Sequence, residues 1–228
     1  MCASRADASS VNFGACGRAS TMRRMLNVLH EDEAIVVIDK PAGLLAVPGR
    51  GEAGRDNAAS RLQSICADAL VVHRLDMATS GLLLFARGAT VQRQLSAAFA
   101  ARQVHKRYVA VVHGVLDADS GEISEPLAAD WPNRPRQIVD RDKGKPSLTR
   151  WRVLDRNAAT TRLDLEPVTG RSHQLRVHLL SIGHPICGDP LYGALPPAAP
   201  RMLLHACELS LAHPCSGVAL SFASAAPF

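Results

Sequence analysis

Short apolar runs and one-sided helical stripes alternate along the chain. Apolar runs of strand length cover residues 34–38, 71–72, 81–86, 105–114, 149–155 and 161–168. Helical spacing covers residues 57–70, 89–103 and 172–182. In the last of these segments Leu175, Leu179 and Ile182 share one face. Because strands and helices mix without regular βαβ alternation, the pattern predicts a single α+β domain rather than a doubly wound sheet.

The composition fits a folded protein that binds a polyanion. The chain of 228 residues is 47% hydrophobic, and no apolar run is as long as a membrane-spanning helix, so we expect a soluble protein. The net charge of +5 favours RNA or DNA as a partner. Six cysteines without a CxxC pair indicate reduced thiols and a cytoplasmic location. The spacing of His205, Cys207 and Cys215 does not favour a zinc site.

The first 25 residues differ in composition from the rest. They are rich in Ser, Ala and Arg, as transit peptides are, but they lack the apolar segment of a secretory signal. We expect residues 1–25 to be a disordered tail, or translation to start later, at Met22 or Met25. Residues 26–228 are then one catalytic domain, which we expect to be monomeric.

One glycine-rich segment imitates a dinucleotide-binding loop. The sequence GRGEAG, residues 49–54, matches G-x-G-x-x-G, and Asp76 follows at roughly the distance of a ribose-binding acid. However, Pro48 interrupts the approach from the preceding apolar run, and Arg50 and Glu52 occupy the tight turn. We therefore interpret the segment as a flexible surface loop.

A polar insert, HRLDMATS, separates two apolar runs. In an extended chain Arg74 and Asp76 share one face of this insert. His73 and Leu75 then point to the other face. An arginine beside an aspartate favours the ionised carboxylate, which in a largely dry cleft acts as a base, a metal ligand or a nucleophile. On Arg74 and Asp76 alone, a structural ion pair is the favoured interpretation.

A second group of basic residues opens the helix predicted over 172–182. Arg171, His173 and Arg176 all lie near its N-terminus, where cations oppose the helix dipole. An anion at that end would remove the cost, and both an RNA phosphate and the Asp76 carboxylate would serve. Two segments far apart in the sequence each place cations beside an expected anion. This favours a binding cleft over a purely structural set of ion pairs.

Five blocks of the sequence resemble the RluA family of RNA pseudouridine synthases, in the family's order. They are VIDKPAGLLAVPG, HRLDMATSG, HKRYVAVVHG, TGRSHQLRVHLLSIGHPICGDPLYG and LLHA, and they span about residues 28–222. The segment DWPNRPRQ resembles the members that modify both 23S rRNA and tRNA, and HRLDMATSG also matches the motif of these members closely. The family often carries an N-terminal S4 domain, for which residues 1–25 are too short. The resemblance implies a mixed, largely antiparallel central sheet flanked by helices, with a basic cleft.

The resemblance also implies a reaction, the isomerisation of uridine to pseudouridine without cofactor or metal. The N1–C1′ bond breaks, the uracil turns while held, C5 bonds to C1′, and the C5 proton is lost. The family pattern assigns the reactive carboxylate, nucleophile or base, to Asp76. Tyr108 matches the tyrosine that stacks on the base and is a candidate acceptor of the C5 proton. Arg171 matches the arginine that pairs with the carboxylate, and Arg74 the one that enters the space left by the flipped nucleotide.

Further basic residues are candidate RNA contacts. Residues 131–152 contain seven Lys/Arg and two Asp. Trp131 beside Arg134 and Arg136 suits base stacking and phosphate neutralisation, although a solvated charged face explains the same run equally well. Candidate residues of the cleft wall are Lys40, His73, Lys106, His173 and Arg176. For Lys40, His73 and His173 a satisfied structural group explains the residue equally well.

The leading hypothesis is an enzyme that modifies 23S rRNA and tRNA stem-loops, and three alternatives to it stay open. The first is a synthase of the same family with another tRNA or rRNA target, because RNA is recognised mainly through loop shape and flipped bases. The second is a non-catalytic RNA-binding protein on the same fold. The third is a nucleotide-cofactor enzyme that uses the glycine-rich loop, which the turn chemistry disfavours.

Overall fold

A computed structural model describes residues 26–49, 51–193 and 199–228. The predicted tail, residues 1–25, therefore lies outside the described residues. The strands are β1 (Asn27–Glu31), β2 (Ile35–Lys40), β3 (Ala69–Val71), β4 (Ser80–Arg87), β5 (His105–His113), β6 (Ser120–Ile123), β7 (Leu127–Ala129), β8 (Gln137–Val139), β9 (Thr149–Arg156), β10 (Thr160–Pro167), β11 (Leu204–Ala212) and β12 (Ala219–Ala223). The α-helices are α1 (Ala58–Gln63), α2 (Gly88–Ala100) and α3 (Gln174–Ser181).

Ten of these strands form one sheet. Its main path runs β1-β2-β4-β11-β5-β10-β9-β6, with β3 paired to β4 and β12 paired to β11. Among these strand pairs only β4–β11 is parallel, with His205 opposite Ser80. β7 and β8 form a separate two-stranded hairpin. The predictions of an α+β fold and of a mixed, largely antiparallel sheet are confirmed.

The polar insert crosses one edge of β4. The other edge of β4 pairs with β2 along its length. The edge that the insert crosses pairs with two strands, with β3 near Phe85 and with β11 at Gly81. The insert leaves β3 at Val71 and enters β4 at Ser80, and so it passes where β3 and β11 part. Gly81 has φ +111°, and a Cβ there would lie 2.3 Å from the carbonyl oxygen of Ala206. Only glycine permits this approach of β4 to β11.

β4 is buried on both faces, so its side chains join two separate parts of the core. Leu82 and Leu84 pack in the cluster that contains Leu95 of α2. Leu83 and Phe85 pack in the cluster formed with α1. This division follows the two-residue period of a strand. Full burial of side chains of this size contributes about 1.5–3 kcal/mol each.

The helix predicted over 57–70 is shorter in the structure. It begins after Asn57, whose side-chain oxygen accepts a hydrogen bond from Ser60 N at 2.9 Å, and ends at Gln63. Ala69 and Leu70 belong to β3 and pair with β4. The prediction was wrong for residues 64–70, because apolar spacing in a short segment does not separate a helix from a buried strand. The other two predicted helices agree with α2 and α3 to within three residues.

The glycine-rich segment forms a compact turn. Gly49 N donates to Gly54 O at 3.0 Å, and a short 3-10 helix covers Glu52–Gly54. The backbones of Gly49 and Gly54 approach so closely that a Cβ on Gly54 would lie 2.3 Å from the carbonyl carbon of Gly49. Gly49 and Gly54 therefore serve local chain closure.

Two absences concern only the residues that the structure describes. Within these ranges no helix combines the length and the apolar character needed to cross a membrane. The same ranges contain no group of three or more His, Cys, Asp or Glu side chains placed to hold a metal ion. Cys66 and Cys187 are buried free thiols.

Candidate active site

A cavity of about 730 Å³ opens between the polar insert, β5 and the start of α3. Its lining includes His73, Arg74, Asp76, Lys106, Tyr108, Arg171, His173 and Arg176. Three segments far apart in the sequence thus contribute to one cavity. Lys40, Arg134 and Arg136 are not part of this lining.

The backbone around Asp76 is held in a tight turn. Thr79 N donates to Asp76 O at 3.1 Å, which closes the turn. The carbonyl of Met77 accepts from Gly43 N at 2.8 Å and from Lys40 Nζ at 3.3 Å. These bonds fix the chain on the C-terminal side of Asp76, and so they limit where its side chain can point.

Lys40 supports this turn and does not line the cavity, contrary to our prediction of a cleft-wall residue. Its ammonium group is fully buried and also donates to Pro41 O at 2.8 Å and Leu44 O at 2.7 Å. Burial lowers the pKa of Lys40 to about 8. The carbonyl bonds occupy its donors, so Lys40 is a structural group beneath Met77.

Asp76 is paired with a buried arginine. Arg176 Nη1 donates to Asp76 Oδ2 at 3.0 Å, and His173 Nε2 lies 3.8 Å from the same oxygen. Arg176 also donates from Nε and Nη2 to Asp189, at 2.7 and 2.8 Å. The side chains of Asp189, Arg176 and Asp76 are 0%, 4% and 18% exposed. The planar guanidinium thus joins a buried carboxylate to one that reaches the cavity.

The expected pair of Arg171 with Asp76 is not the one that the structure contains. Arg171 precedes α3, is exposed, and directs its Nε to Pro146 O at 3.4 Å. Arg176 lies within the first turn of α3 on its buried side and reaches the carboxylate instead. Of the two anions considered for this helix end, an RNA phosphate and the Asp76 carboxylate, the structure contains the carboxylate, and it pairs with Arg176.

Arg74 does not pair with Asp76 either. It is exposed at the cavity, and within the described ranges it has no hydrogen-bond or ion-pair partner. The neighbouring Leu75 is buried in the core, but His73 lines the cavity together with Arg74 and Asp76. The alternation of sides predicted for an extended insert therefore fails at His73, because β3 already ends at Val71. Arg74 is therefore a free cation at the mouth of the site.

Tyr108 contributes an aromatic ring from β5. The ring packs against two core clusters, and its strand neighbours are Leu165 on β10 and Ala206 on β11. Burial, and then the negative charge of Asp76, raise the pKa of Tyr108. Among the described residues its hydroxyl has no hydrogen-bond partner. The phenol is therefore protonated near neutral pH and available to a molecule in the cavity.

His73 forms a neutral part of the cavity wall. Its Nε2 accepts a hydrogen bond from Leu84 N at 3.0 Å, and its ring stacks on Phe99 at a centroid distance of 4.7 Å. Burial, and then the positive charge of Lys106, lower the pKa of His73 to about 3. Lys106 Nζ lies 5.8 Å from the centroid of the Phe99 ring, and burial lowers its pKa.

The hairpin of β7 and β8 carries the predicted aromatic and basic group. Trp131 is 68% exposed, and Arg134 Cζ lies 3.3 Å from the centroid of its ring. Arg136 Cζ lies 5.2 Å from the ring centroid of Tyr192, which joins the hairpin to the region of the cavity. The structure thus places Trp131 and Arg134 on a solvent-facing tip outside the cavity lining.

Sequence reasoning missed three residues that organise the site. Asp189 and Tyr192 occur in the family-like block GHPICGDPLYG, but no pattern in the sequence indicates their partners. Gln174 is buried: its Oε1 accepts from Thr169 Oγ1 at 2.7 Å and from Arg171 N at 3.0 Å. It therefore holds the loop before α3.

Comparisons with known proteins agree on one family. The family model described as RNA pseudouridylate synthase matches residues 34–181. The dual-specificity RNA pseudouridine synthase RluA of Vibrio cholerae is 50% identical over 193 residues, which cover 83% of this chain and 78% of the relative. The protein of the same name from Escherichia coli K12 is 46% identical over 207 residues, covering 89% of this chain and 94% of the relative.

Solved structures show the same fold. Human RNA Pseudouridylate Synthase Domain Containing 1 superposes with a TM-score of 0.75 at 26% identity, covering 89% of this chain and 84% of that one. Human RNA Pseudouridylate Synthase Domain Containing 4 gives a TM-score of 0.73 at 25% identity, with 92% of each chain covered. The sheet that carries the cavity is therefore shared with these proteins.

Proposed function

Since the chain belongs to the RNA pseudouridylate synthase family, we propose that it isomerises specific uridines in loops of structured RNA to pseudouridine, with Asp76 as the reactive group. The observation that carries this assignment is the position of Asp76. It is a carboxylate held by Arg176 at a cavity that Tyr108 also lines. A purely structural ion pair would not require one partner to face an open cavity.

The reaction that we propose is balanced without an added reactant. The N1–C1′ bond breaks, and the uracil turns within the cavity while its sugar stays bound. A new bond joins C5 to C1′, the C5 proton leaves, and N1 gains a proton. Asp76 either attacks the sugar or removes a proton from it, and both roles need the ionised carboxylate.

The target base must leave its stack to reach Asp76, because the glycosidic bond is inaccessible inside a folded loop. The mouth of the cavity suits this step, since Arg74 is an exposed and unpaired cation among the described residues. We propose that Arg74 fills the space left by the flipped nucleotide. Tyr108 then stacks on the uracil, and its protonated hydroxyl lies near the ring.

Basic residues around the cavity support RNA as the substrate. The cationic side chains of the lining outnumber its carboxylates. The cations include Arg74, Lys106, Arg150, Arg171 and Arg176, and the carboxylates are Asp76 and Glu166. Such an excess of cations neutralises phosphates. We propose that Trp131, Arg134 and Arg136 on the hairpin bind the flanking RNA by stacking and by phosphate contacts.

A tritium-release assay tests the reaction. We expect the wild-type protein to release tritium to water from RNA labelled at uracil C5. Asp76→Asn keeps the size and removes the charge, and we expect it to lower the rate by about 10³-fold or more. Asp76→Asn should keep the wild-type thermal unfolding, which serves as the control. Release at the wild-type rate by this variant would refute the role of Asp76.

The RNA targets need a separate experiment. The sequence resemblance points to 23S rRNA and to the tRNA anticodon stem-loop, and the relatives named above are called dual-specificity enzymes. Carbodiimide-dependent primer stops in both RNAs, from cells with and without the gene, should show pseudouridines that depend on the gene. Stops in only one RNA class would limit the proposal to that class.

A non-catalytic RNA-binding protein is the second candidate function. It predicts that the protein binds RNA but converts no uridine, and that Asp76→Asn binds RNA with the wild-type affinity. We further propose that the protein acts as a cytoplasmic monomer without cofactor or metal. Full activity after treatment with a chelator, and a monomer mass in sedimentation, are the expected results.

A further inference from the structure

Tyr192 is a buried tyrosine that the reaction described above does not use. Only 5% of its surface is exposed, and it lies between the hairpin and α3. Its ring centroid is 4.9 Å from Arg176 Cζ and 5.2 Å from Arg136 Cζ. Tyr192 therefore contacts the arginine that holds Asp76 and an arginine of the hairpin.

The hydroxyl of Tyr192 has two defined partners. It accepts a hydrogen bond from the backbone N–H of Gln137 at 2.7 Å, and it lies 2.8 Å from His173 Nδ1. Because Gln137 supplies a proton to the oxygen, the phenol proton is free to be donated to Nδ1. A neutral His173 then carries its own proton on Nε2, the nitrogen 3.8 Å from Asp76 Oδ2.

The backbone of Tyr192 is tied to the same carboxylate network. Tyr192 N and Leu191 N donate to Asp189 Oδ1 at 3.1 and 2.9 Å. Asp189 in turn binds two nitrogens of Arg176, which reaches Asp76. Movement of Tyr192 would therefore disturb both groups that contact Asp76.

His173 occupies an unusual backbone position. Its φ is +52°, in the left-handed region that a residue with a side chain rarely adopts, and it caps α3 without a side-chain capping bond. Glycine would fit this backbone better. What histidine supplies here and glycine would not is the imidazole, which contacts Tyr192 and Asp76.

We propose that Tyr192 is a positioning residue that keeps His173 neutral, with its proton on Nε2 facing Asp76. At 3.8 Å the Nε2–H is too far from Asp76 for a hydrogen bond and acts on the carboxylate as a dipole. A neutral imidazole adds no second full positive charge beside Arg176, so Asp76 keeps its reactivity. This inference rests on the proposed function for its consequence in catalysis. The hydrogen placement on His173 is a separate claim about the folded protein.

The wild-type protein provides the first test. A long-range proton–nitrogen NMR spectrum distinguishes the two neutral forms of a histidine from the charged one. We expect His173 near neutral pH to be protonated at Nε2 and unprotonated at Nδ1. A proton on Nδ1 alone, or a charged imidazole, would overturn the proposal whether or not the protein makes pseudouridine.

Tyr192→Phe provides the second test, because it removes the hydroxyl and keeps the ring. We expect kcat to fall by about tenfold, as for the loss of one hydrogen bond to a charged or polar site, with KM unchanged. Ile138→Ala, an exposed residue of the same hairpin, is the matched control and should keep both constants. An unchanged kcat for Tyr192→Phe contradicts the proposal, whereas an inactive wild type would contradict the proposed function.

The pH profile separates positioning from general damage to the fold. The charges of Asp76, Arg176, Asp189 and Arg74 act on His173, and the Tyr192 hydroxyl contacts it. Burial lowers the pKa of His173. Without the hydroxyl donor Nδ1 is free to bind a proton, so in Tyr192→Phe the pKa of His173 rises. The acid limb of kcat should then move to higher pH.

A double variant completes the test. In a His173→Gln background there is no imidazole to hold, so Tyr192→Phe should lower kcat no further and shift no limb. Equal effects of Tyr192→Phe in both backgrounds would show that Tyr192 acts by another route, and would overturn the proposal.

Discussion

The floor of the cavity and the tip of the hairpin both present arginines, but they hold them in opposite ways. Arg176 is 4% exposed and binds two carboxylates, one of them fully buried. Arg134 lies over the 68% exposed ring of Trp131. A buried ion pair is costly to break because the remaining charge stays without a partner, whereas an exposed contact contributes little to the free energy of unfolding.

This difference separates two tasks. The cavity floor keeps one carboxylate in a defined place, which favours a chemical step. The hairpin offers a flat ring and free donors to solvent, which favours adaptable contact with a single-stranded base. Loss of the buried cation at the floor should therefore change stability and turnover together, and substitutions at the tip should change only RNA binding.

The largest effect is expected from Arg176→Met, with Arg171→Met as its matched control. Removal of Arg176 leaves Asp189 buried without its partner, so the free energy of unfolding should fall by about 3–5 kcal/mol, and tritium release should be nearly abolished. Arg171→Met should unfold as the wild type does, because Arg171 is exposed. Urea titration and the release assay measure both. Equal destabilisation by the two variants would contradict the assignment of Arg176.

Tyr108→Phe should have the next largest effect. The hydroxyl has no partner in the described part of the chain, so its removal should leave the free energy of unfolding unchanged. The protonated phenol can take the C5 proton only as it passes its own proton on, and loss of this relay should lower tritium release by about 10²-fold. Urea titration measures the free energy of unfolding, and single-turnover kinetics measure the rate of tritium release. An unchanged release rate would limit Tyr108 to stacking.

The smallest effect is expected at the hairpin tip. Trp131→Ala removes one stacking surface, so KM for a stem-loop RNA should rise by about tenfold while thermal stability stays unchanged. Val218→Ala, an exposed side chain on another loop, is the control and should leave KM as it is. A fall in thermal stability with no change in KM would mean that Trp131 serves the fold.

Much of this molecule follows from its sequence. The continuous apolar run of β4 and the one-sided stripe of α2 predict these elements, because burial on both faces of a strand, or on one face of a helix, imposes the pattern locally. Asp76, Tyr108 and the basic residues before α3 were recognised from short motifs. The sequence alone also predicts that the Asp76 carboxylate and the cations at the start of α3, which lie in separate segments, meet in the folded protein.

Only the tertiary structure decided which partners meet. The family resemblance implied Arg171 as the partner of Asp76, but α3 turns Arg176 inward, and Asp189 holds it there. The sequence left Lys40 open between a cleft-wall residue and a structural group, and the turn at Met77, which takes its donors, selects the structural role. Periodicity reports which side of an element a residue occupies. The partner across a cavity depends on how elements far apart in the chain are packed, and no local pattern contains that information.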